Sequence, residues 1–351
     1  MKPANLVNQH SSWFGAVGPA CDIVISSRVR LARNLAGFEF LPCLTPERKQ
    51  IILDQLREAI LSLELGDTVF FVDVDHAAAL ERQLLMERHL ISRQHAAGKG
   101  PRGAVIASGE AFTAMINEED HLRMQVYAAG LNLYDCWQRI NRIDDGIEKK
   151  VQYAFDSKLG YLTACPTNLG TGIRASVMLH LPALKLTGQI EKFVTAAKDS
   201  DLTVRGLFGE GTDAIGDFYQ LSNQVTLGVQ EEQVVKNMSE NVVPRIVDYE
   251  KSARQSLMDE RPSTLDDKIQ RALGVLKSAC LISSQESLYL LSSVRLGVNL
   301  GRVPNVSLAT INELFLQTQP AHLQIRAGKM LDPDQRDTLR AQVIRQKLCS
   351  N

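Results

Sequence analysis

Between residues 21 and 33, apolar side chains (Ile23, Ile25, Val29, Leu31) roughly alternate with polar ones, the two-residue period of a half-buried strand. Thr45 followed by Pro46 has the form of an N-cap and first helical residue, and predicts a helix running to residue 63. Strand-like stretches follow at 68–74, 103–107, 114–117 and 121–128. A helix is predicted over 133–143, broken by Asp144-Asp145-Gly146. The pattern predicts a hairpin over 151–164 turned at 157–160, and a second over 202–228 with a long Gly-rich tip. Helices at 172–181 and 189–197 are expected between them. Hairpins and helices in mixed order predict an α+β fold with a largely antiparallel sheet.

Beyond a helix starting near Glu231, the polar run at 259–263 marks a boundary, and everything after it has a helical pattern. Pro262-Ser263-Thr264 can cap a helix over 265–279, while Ser284, Ser307, and Asp332 with Pro333 can cap three more. The predicted organisation is an N-terminal extension (1–20), a catalytic domain (21–255) and an all-helical C-terminal domain (260–351). A chain of 351 residues is long enough for both domains to hold cores.

Charge narrows the function. Lys and Arg number 39 against 40 Asp and Glu, which excludes a polycation built for nucleic acid, so any electrostatic work is local. The first twenty residues lack the continuous apolar run of a secretory signal, and no stretch is apolar enough to span a bilayer. Six scattered cysteines without a C-x-x-C pair argue against a disulfide framework or a zinc site. These features predict a cytoplasmic protein with reduced thiols, no membrane contact and no direct contact with nucleic acid.

No G-x-x-x-x-G-K-[ST] loop is present, no G-x-G-x-x-G joins a strand to a helix, and the signatures of ordinary protein kinases are missing. A nucleotide enzyme of this sequence would need another phosphate ligand, and arginine, with its permanent charge and planar fork, is suited to it. Four segments carry arginines in unusual company. Ser26-Ser27-Arg28-Val29-Arg30 sets two arginines on one strand face. Asn117-Glu118-Glu119-Asp120-His121-Leu122-Arg123 packs three carboxylates beside a histidine and an arginine. Cys165-Pro166-Thr167-Asn168-Leu169-Gly170-Thr171-Gly172 is a Gly-rich turn leading into a predicted helix with Arg174 in its first turn. Arg205-Gly206-Leu207-Phe208-Gly209-Glu210-Gly211 lies at a hairpin tip. Taken singly, each also fits an ordinary role: a solvated strand face, a surface turn, a packed thiol, a loop.

Together and in this order, the four segments resemble the phosphagen (guanidino) kinase family, whose hallmarks are the N-E-E-D-H-L-R and C-P-T-N-L-G-T-G-x-R-A-S blocks. The closer likeness is to the bacterial protein arginine kinases of the McsB type. Only about twenty residues precede Ser26, where kinases of free guanidino compounds carry a helical domain, and the helical C-terminal region with Arg336-Asp337-Thr338-Leu339-Arg340-Ala341 is foreign to those kinases.

This resemblance implies ATP-dependent phosphorylation of arginine side chains in proteins. Glu119 would act as base, Glu210 as its partner, and Cys165 would lie against the guanidinium as a thiolate. Arg28, Arg30, Arg123, Arg174 and Arg205 would hold the phosphates. Ser26, Ser27, Val29, Ala175, Ser176, Val177, Met178, Gly206, Leu207, Phe208 and Gly209 would border the nucleotide, with His89 at its base or ribose. Magnesium would enter with the triphosphate, Glu118 touching it through water. On the last helix Arg336 and Arg340 share a face beside Asp337, a pattern fit to bind phosphoarginine, so that product on one molecule could activate another. The resemblance further implies self-association, a zinc-binding activator, a stress-response repressor and a Clp-type protease as partners. Two alternatives remain at this point: a kinase of free arginine or a related small compound, and an inactive phosphoarginine-binding adaptor.

Overall fold

The computed structural model of the chain describes residues 3–66, 68–206 and 215–349. Its first half runs β1 (Val24–Arg33), α1 (Pro46–Leu61), β2 (Val69–Asp73), α2 (Ala79–Glu87), α3 (Arg93–Ala97), β3 (Gly103–Ala107), β4 (Phe112–Ile116), β5 (Leu122–Ala129) and α4 (Leu133–Glu148). A small hairpin, β6 (Phe155–Asp156) and β7 (Gly160–Tyr161), precedes β8 (Ile173–His180), α5 (Pro182–Leu186), α6 (Ile190–Asp199), β9 (Leu202–Gly206) and β10 (Phe218–Asn223). Helices follow to the end: α7 (Glu231–Lys236), α8 (Val243–Glu260), α9 (Pro262–Ser278), α10 (Ser284–Asn299), α11 (Leu308–Gln317), α12 (Pro320–Ala327) and α13 (Pro333–Cys349).

Eight strands form one sheet in the order β2-β3-β4-β5-β1-β8-β10-β9, every neighbouring pair antiparallel. Alternation along β1 divides its two faces. Val29 and Leu31, with Met124, Val126, Ala175 and Val177 from its neighbours, enter the apolar core with Ile52 and Leu56 of α1 and Cys136 and Ile140 of α4. On the opposite face, a second apolar cluster joins Phe70, Val72, Ala104, Ile106 and Met115 to Leu84 and Leu85 of α2. The C-terminal helices cover another part of that face, where Phe218 meets Phe315 edge-on with ring centroids 4.7 Å apart. Their apolar residues, among them Ile269, Leu291 and Ile311, belong to the same core as the sheet.

Two predicted helices differ in the structure. Residues Ile173–His180 are a central strand, β8, paired on both sides, not the helix expected over 172–181. The helix expected to stop at residue 143 continues to Glu148 because Asp144 is buried against Arg33 and Gly146 lies close beneath Leu63. Helices α2, α3 and α12 had no counterpart in the sequence pattern. The caps at Thr45 and Ser307 form as expected, Ser283 rather than Ser284 caps α10, and α9 begins at Pro262 without a side-chain cap. No helix among the described residues is long and apolar enough to cross a membrane.

Candidate active site

A cleft of about 500 Å³ opens on the sheet face between α2 and β9. Strand register builds its floor. Arg30 of β1 sits between Gln125 of β5 and Arg174 of β8, and Arg28 sits between Tyr127 and Ser176. Arg205 of β9 lies opposite Gln220 of β10, and Arg123 completes the row on β5. Five arginines from four strands therefore face one cavity.

Among the described residues, Arg28 and Arg30 have no carboxylate partner. The Arg28 guanidinium is fixed by neutral acceptors: Nε to Ser176 Oγ at 3.2 Å, Nη1 to the Tyr127 hydroxyl at 3.0 Å and Nη2 to Gln220 Oε1 at 2.9 Å. Arg30 is buried, and its Nε has no hydrogen-bond partner among the described residues. Burial first, then repulsion from Arg28, Arg123 and Arg174, pushes the Arg30 guanidinium well below its ordinary pKa. A buried polar donor without a partner is costly unless a ligand supplies one, and an anion here would relieve both strains.

Carboxylates and a thiol occupy the other end. The turn from β4 to β5 is closed by the Asn117 amide donating to His121 O at 2.9 Å, with Asn117 in the left-handed region at φ 60°. Glu118 turns inward: Oε1 accepts from Ser92 Oγ at 2.5 Å, while Oε2 accepts from Arg123 Nη1 at 2.9 Å and from the Glu119 amide at 3.0 Å. Burial alone would raise its carboxyl, but Arg123 and Ser92 outweigh burial and hold it below the ordinary range. Oε2 of Glu118 thereby fixes the Arg123 guanidinium at the edge of the cleft.

Glu119 faces the cleft, its side chain 31% exposed and 3.7 Å from Arg123 Nη1. Burial raises its carboxyl above the ordinary value, Arg123 opposing and Glu118 and Asp120 reinforcing the shift. His121 is neutral, since Nδ1 accepts from the Leu35 amide and Nε2–H donates to Glu39 O, and burial lowers it to about 4.

Cys165 borders the cleft with Sγ 3.0 Å from Thr167 Oγ1. Its segment is packed too closely for larger residues at two turns. A Cβ at Gly170 (φ 105°) would meet Thr226 O at 2.5 Å, and one at Gly172 (φ 65°) would meet Ala32 O at 2.6 Å. Thr226 Oγ1 donates to Leu169 O at 2.7 Å, and Thr163 Oγ1 to Cys165 O at 2.8 Å.

The cleft thus gathers Arg28, Arg30, His89, Arg123, Arg174, Arg205, Glu119 and Cys165. Ser26, Ser176 and Met178 line a small recess beside it with Trp13, whose ring stacks on Tyr127 at 5.2 Å. His89 is held below its ordinary pKa, at about 4, by burial and by Arg28. Ser27, Val29, Ala175 and Val177 fall on the alternate strand positions, and of these Val177 also borders the recess. Gly206 ends β9, whereas Leu207, Phe208, Gly209 and Glu210 lie outside the described residues.

Arg336, Asp337 and Arg340 stand apart on α13. Arg340 is turned inward, with Nε on Thr318 O, Nη1 on Ile282 O and a short contact to Asp337, so its fork does not lie open beside Arg336. The sequence pattern missed Gln125, Tyr127 and Gln220. The first two follow Arg123 at two-residue spacing on β5 and could have been found by extending its alternation.

This sheet and its arginine-lined cleft define a guanidino-group phosphotransferase. Residues 52–253 match the C-terminal catalytic domain of the ATP:guanido phosphotransferases, and the chain belongs to that family. Residues 262–351 match the C-terminal domain of the protein-arginine kinase McsB. The chain is 42% identical over 346 residues to the protein-arginine kinase of Pelotomaculum thermopropionicum, covering 98% of this chain and 97% of that one. It is 45% identical over 341 residues to that of Syntrophomonas wolfei, covering 96% and 95%. Among solved structures, the duplicated taurocyamine kinase of Schistosoma mansoni with bound transition-state-analogue components superposes with a TM-score of 0.61 at 28% identity, over 71% of this chain and 37% of that one. A lombricine kinase gives 0.59 at 26% identity, over 71% and 70%.

Proposed function

We propose that the chain transfers the γ-phosphoryl group of ATP to arginine side chains of other proteins. The observation that carries this reading is Arg30, buried without a partner for Nε among the described residues, amid other arginines and within one cleft of Glu119 and Cys165. Phosphoryl transfer needs charge neutralisation on the phosphate oxygens and alignment of the acceptor, and the two ends of the cleft divide these tasks.

Arg28, Arg30, Arg123, Arg174 and Arg205 hold the triphosphate, with His89, Ser176 and Met178 beside the nucleotide. Glu119, its proton affinity raised by burial, receives the proton that the guanidinium must lose. The Cys165 thiol orients the guanidinium from the other side. The bond from the γ-phosphorus to the bridging oxygen breaks as the bond to the guanidinium nitrogen forms, and ADP leaves. Glu210 is the proposed second carboxylate. Magnesium enters with ATP, bound to its phosphate oxygens.

The reading extends to a catalytic unit over 21–255 and a helical unit over 260–351. On α13, phosphoarginine would meet half-buried Arg336 and Asp337 first, and Arg340 behind them would pass its effect to Thr318 and Ile282. A zinc-binding activator, a stress-response repressor and a Clp-type protease are the proposed partners, with self-association and a cytoplasmic location. Incubation with labelled Mg-ATP and either an arginine-rich unfolded protein or free arginine tests the function. Acid-labile label on the protein is expected. Label on free arginine alone would favour a small-molecule kinase, and label on neither an adaptor.

A further inference from the structure

Cys165 and Glu119 come from segments 46 positions apart, yet both must touch one guanidinium group. What joins those segments is a buried carboxamide outside the cleft. Asn34, directly after β1, is 2% exposed. Its Nδ2 donates to Asp120 Oδ1 at 2.7 Å and to Leu162 O at 3.0 Å, and its Oδ1 accepts from the His121 amide at 2.9 Å. Asp120 Oδ1 in turn accepts from the Ala164 amide at 2.7 Å. The Asn34 carbonyl also accepts from the Ala154 amide at 2.7 Å, which fixes the strand before the thiol segment.

We infer that Asn34 is a positioning residue for phosphoryl transfer, joining the carboxylate turn at 118–121 to the thiol segment at 162–165. One amide group satisfies both sides at once. Asp120 neighbours Glu119, and Ala164 neighbours Cys165, so the shared Asp120 oxygen lies one residue from each reacting partner. Loss of the carboxamide leaves the Asp120–Ala164 hydrogen bond without its brace to Leu162 and His121, so the two segments can shift against each other, while the arginine floor, which is set by strand register, stays in place. The effect falls on acceptor alignment and spares nucleotide binding.

This inference rests on the roles given above to Glu119 and Cys165. Asn34→Ala, Asn34→Asp and Glu119→Gln are compared with the parent chain for ATP affinity by calorimetry and for kcat on an arginine-rich unfolded protein. Asn34→Asp keeps the volume and the acceptor for the His121 amide, removes the bond donated to Leu162 O and sets a second carboxyl against Asp120, so it reports on the link should Asn34→Ala fold poorly. A kcat lower by roughly 100-fold is expected in both Asn34 variants, the usual order for an ångström of misplacement. ATP affinity is expected to stay within about twofold of the parent, since transition-state alignment and ground-state binding are separable. Parent-like kcat in either folded variant, or ATP affinity falling in step with kcat, would overturn the inference. Should Glu119→Gln keep the parent kcat, the underlying site assignment fails instead.

Discussion

Arginines are buried in two kinds of setting in this molecule. In the helical region and at the sheet margins they are saturated. Arg340 grips two carbonyls and Asp337, Arg295 reaches Asn312, Asp22 O and Cys21 O, and Arg33 pairs with Asp144 while lying 3.6 Å over the Tyr161 ring. Arg88 pairs with Glu110 and donates to Gln9 O and Ser11 Oγ. In the cleft the pattern reverses at Arg30, whose Nε has no hydrogen-bond partner among the described residues and which is crowded by like charge. Buried charge that is satisfied internally holds a fold together, whereas buried charge left for a partner marks a binding site.

The comparison predicts opposite consequences for one type of substitution. Arg88→Ala strands the Glu110 carboxylate, 1% exposed, and should lower unfolding free energy by about 3–5 kcal/mol, read from the midpoint of urea denaturation. An unchanged midpoint would remove the distinction. Arg30→Ala relieves repulsion and should leave stability equal or higher, while ATP affinity falls roughly 10- to 100-fold through the lost charged hydrogen bonds. Calorimetric titration with Mg-ATP checks the second value, and parent-like affinity would show that Arg30 is not a phosphate ligand.

A smaller effect appears with pH. Burial, the leading cause in each case, lowers His89, His95 and His121 to about 4, while an unfolded histidine titrates near 6.5. Between those values the unfolded chain binds protons that the folded chain refuses. Stability should therefore fall as pH drops from about 6.5 to 4, by up to roughly 1.4 kcal/mol per pH unit for each such histidine. Denaturation midpoints that stay flat across this window would contradict the burial of these rings.

What the sequence disclosed follows the same physics. The alternation along β1 was legible because one face meets the core and the other meets the cleft. β8 was not, because its run Ile173-Arg174-Ala175-Ser176-Val177-Met178 is mostly buried on both sides and contains good helix formers. Only pairing with β1 and β10 decides it. The end of α4 was hidden by Asp144 and Gly146, which look like a helix stop but serve a salt bridge and a close packing contact. The cleft arginines were found through their motifs, while Gln220, which with Tyr127 fixes Arg28, carries no signal until strands are in register. Asn34 was invisible for the same reason, its partners lying 86 and 128 positions away.

The division of labour in the cleft is tested most directly by one variant. Phosphoarginine formed on an unfolded acceptor protein is measured by phosphorus NMR with the parent chain and with Glu119→Gln, alongside calorimetric ATP binding. Loss of transfer by roughly a hundredfold or more, the scale of general-base catalysis, with ATP binding retained is the predicted result. Undiminished transfer by Glu119→Gln would contradict the account.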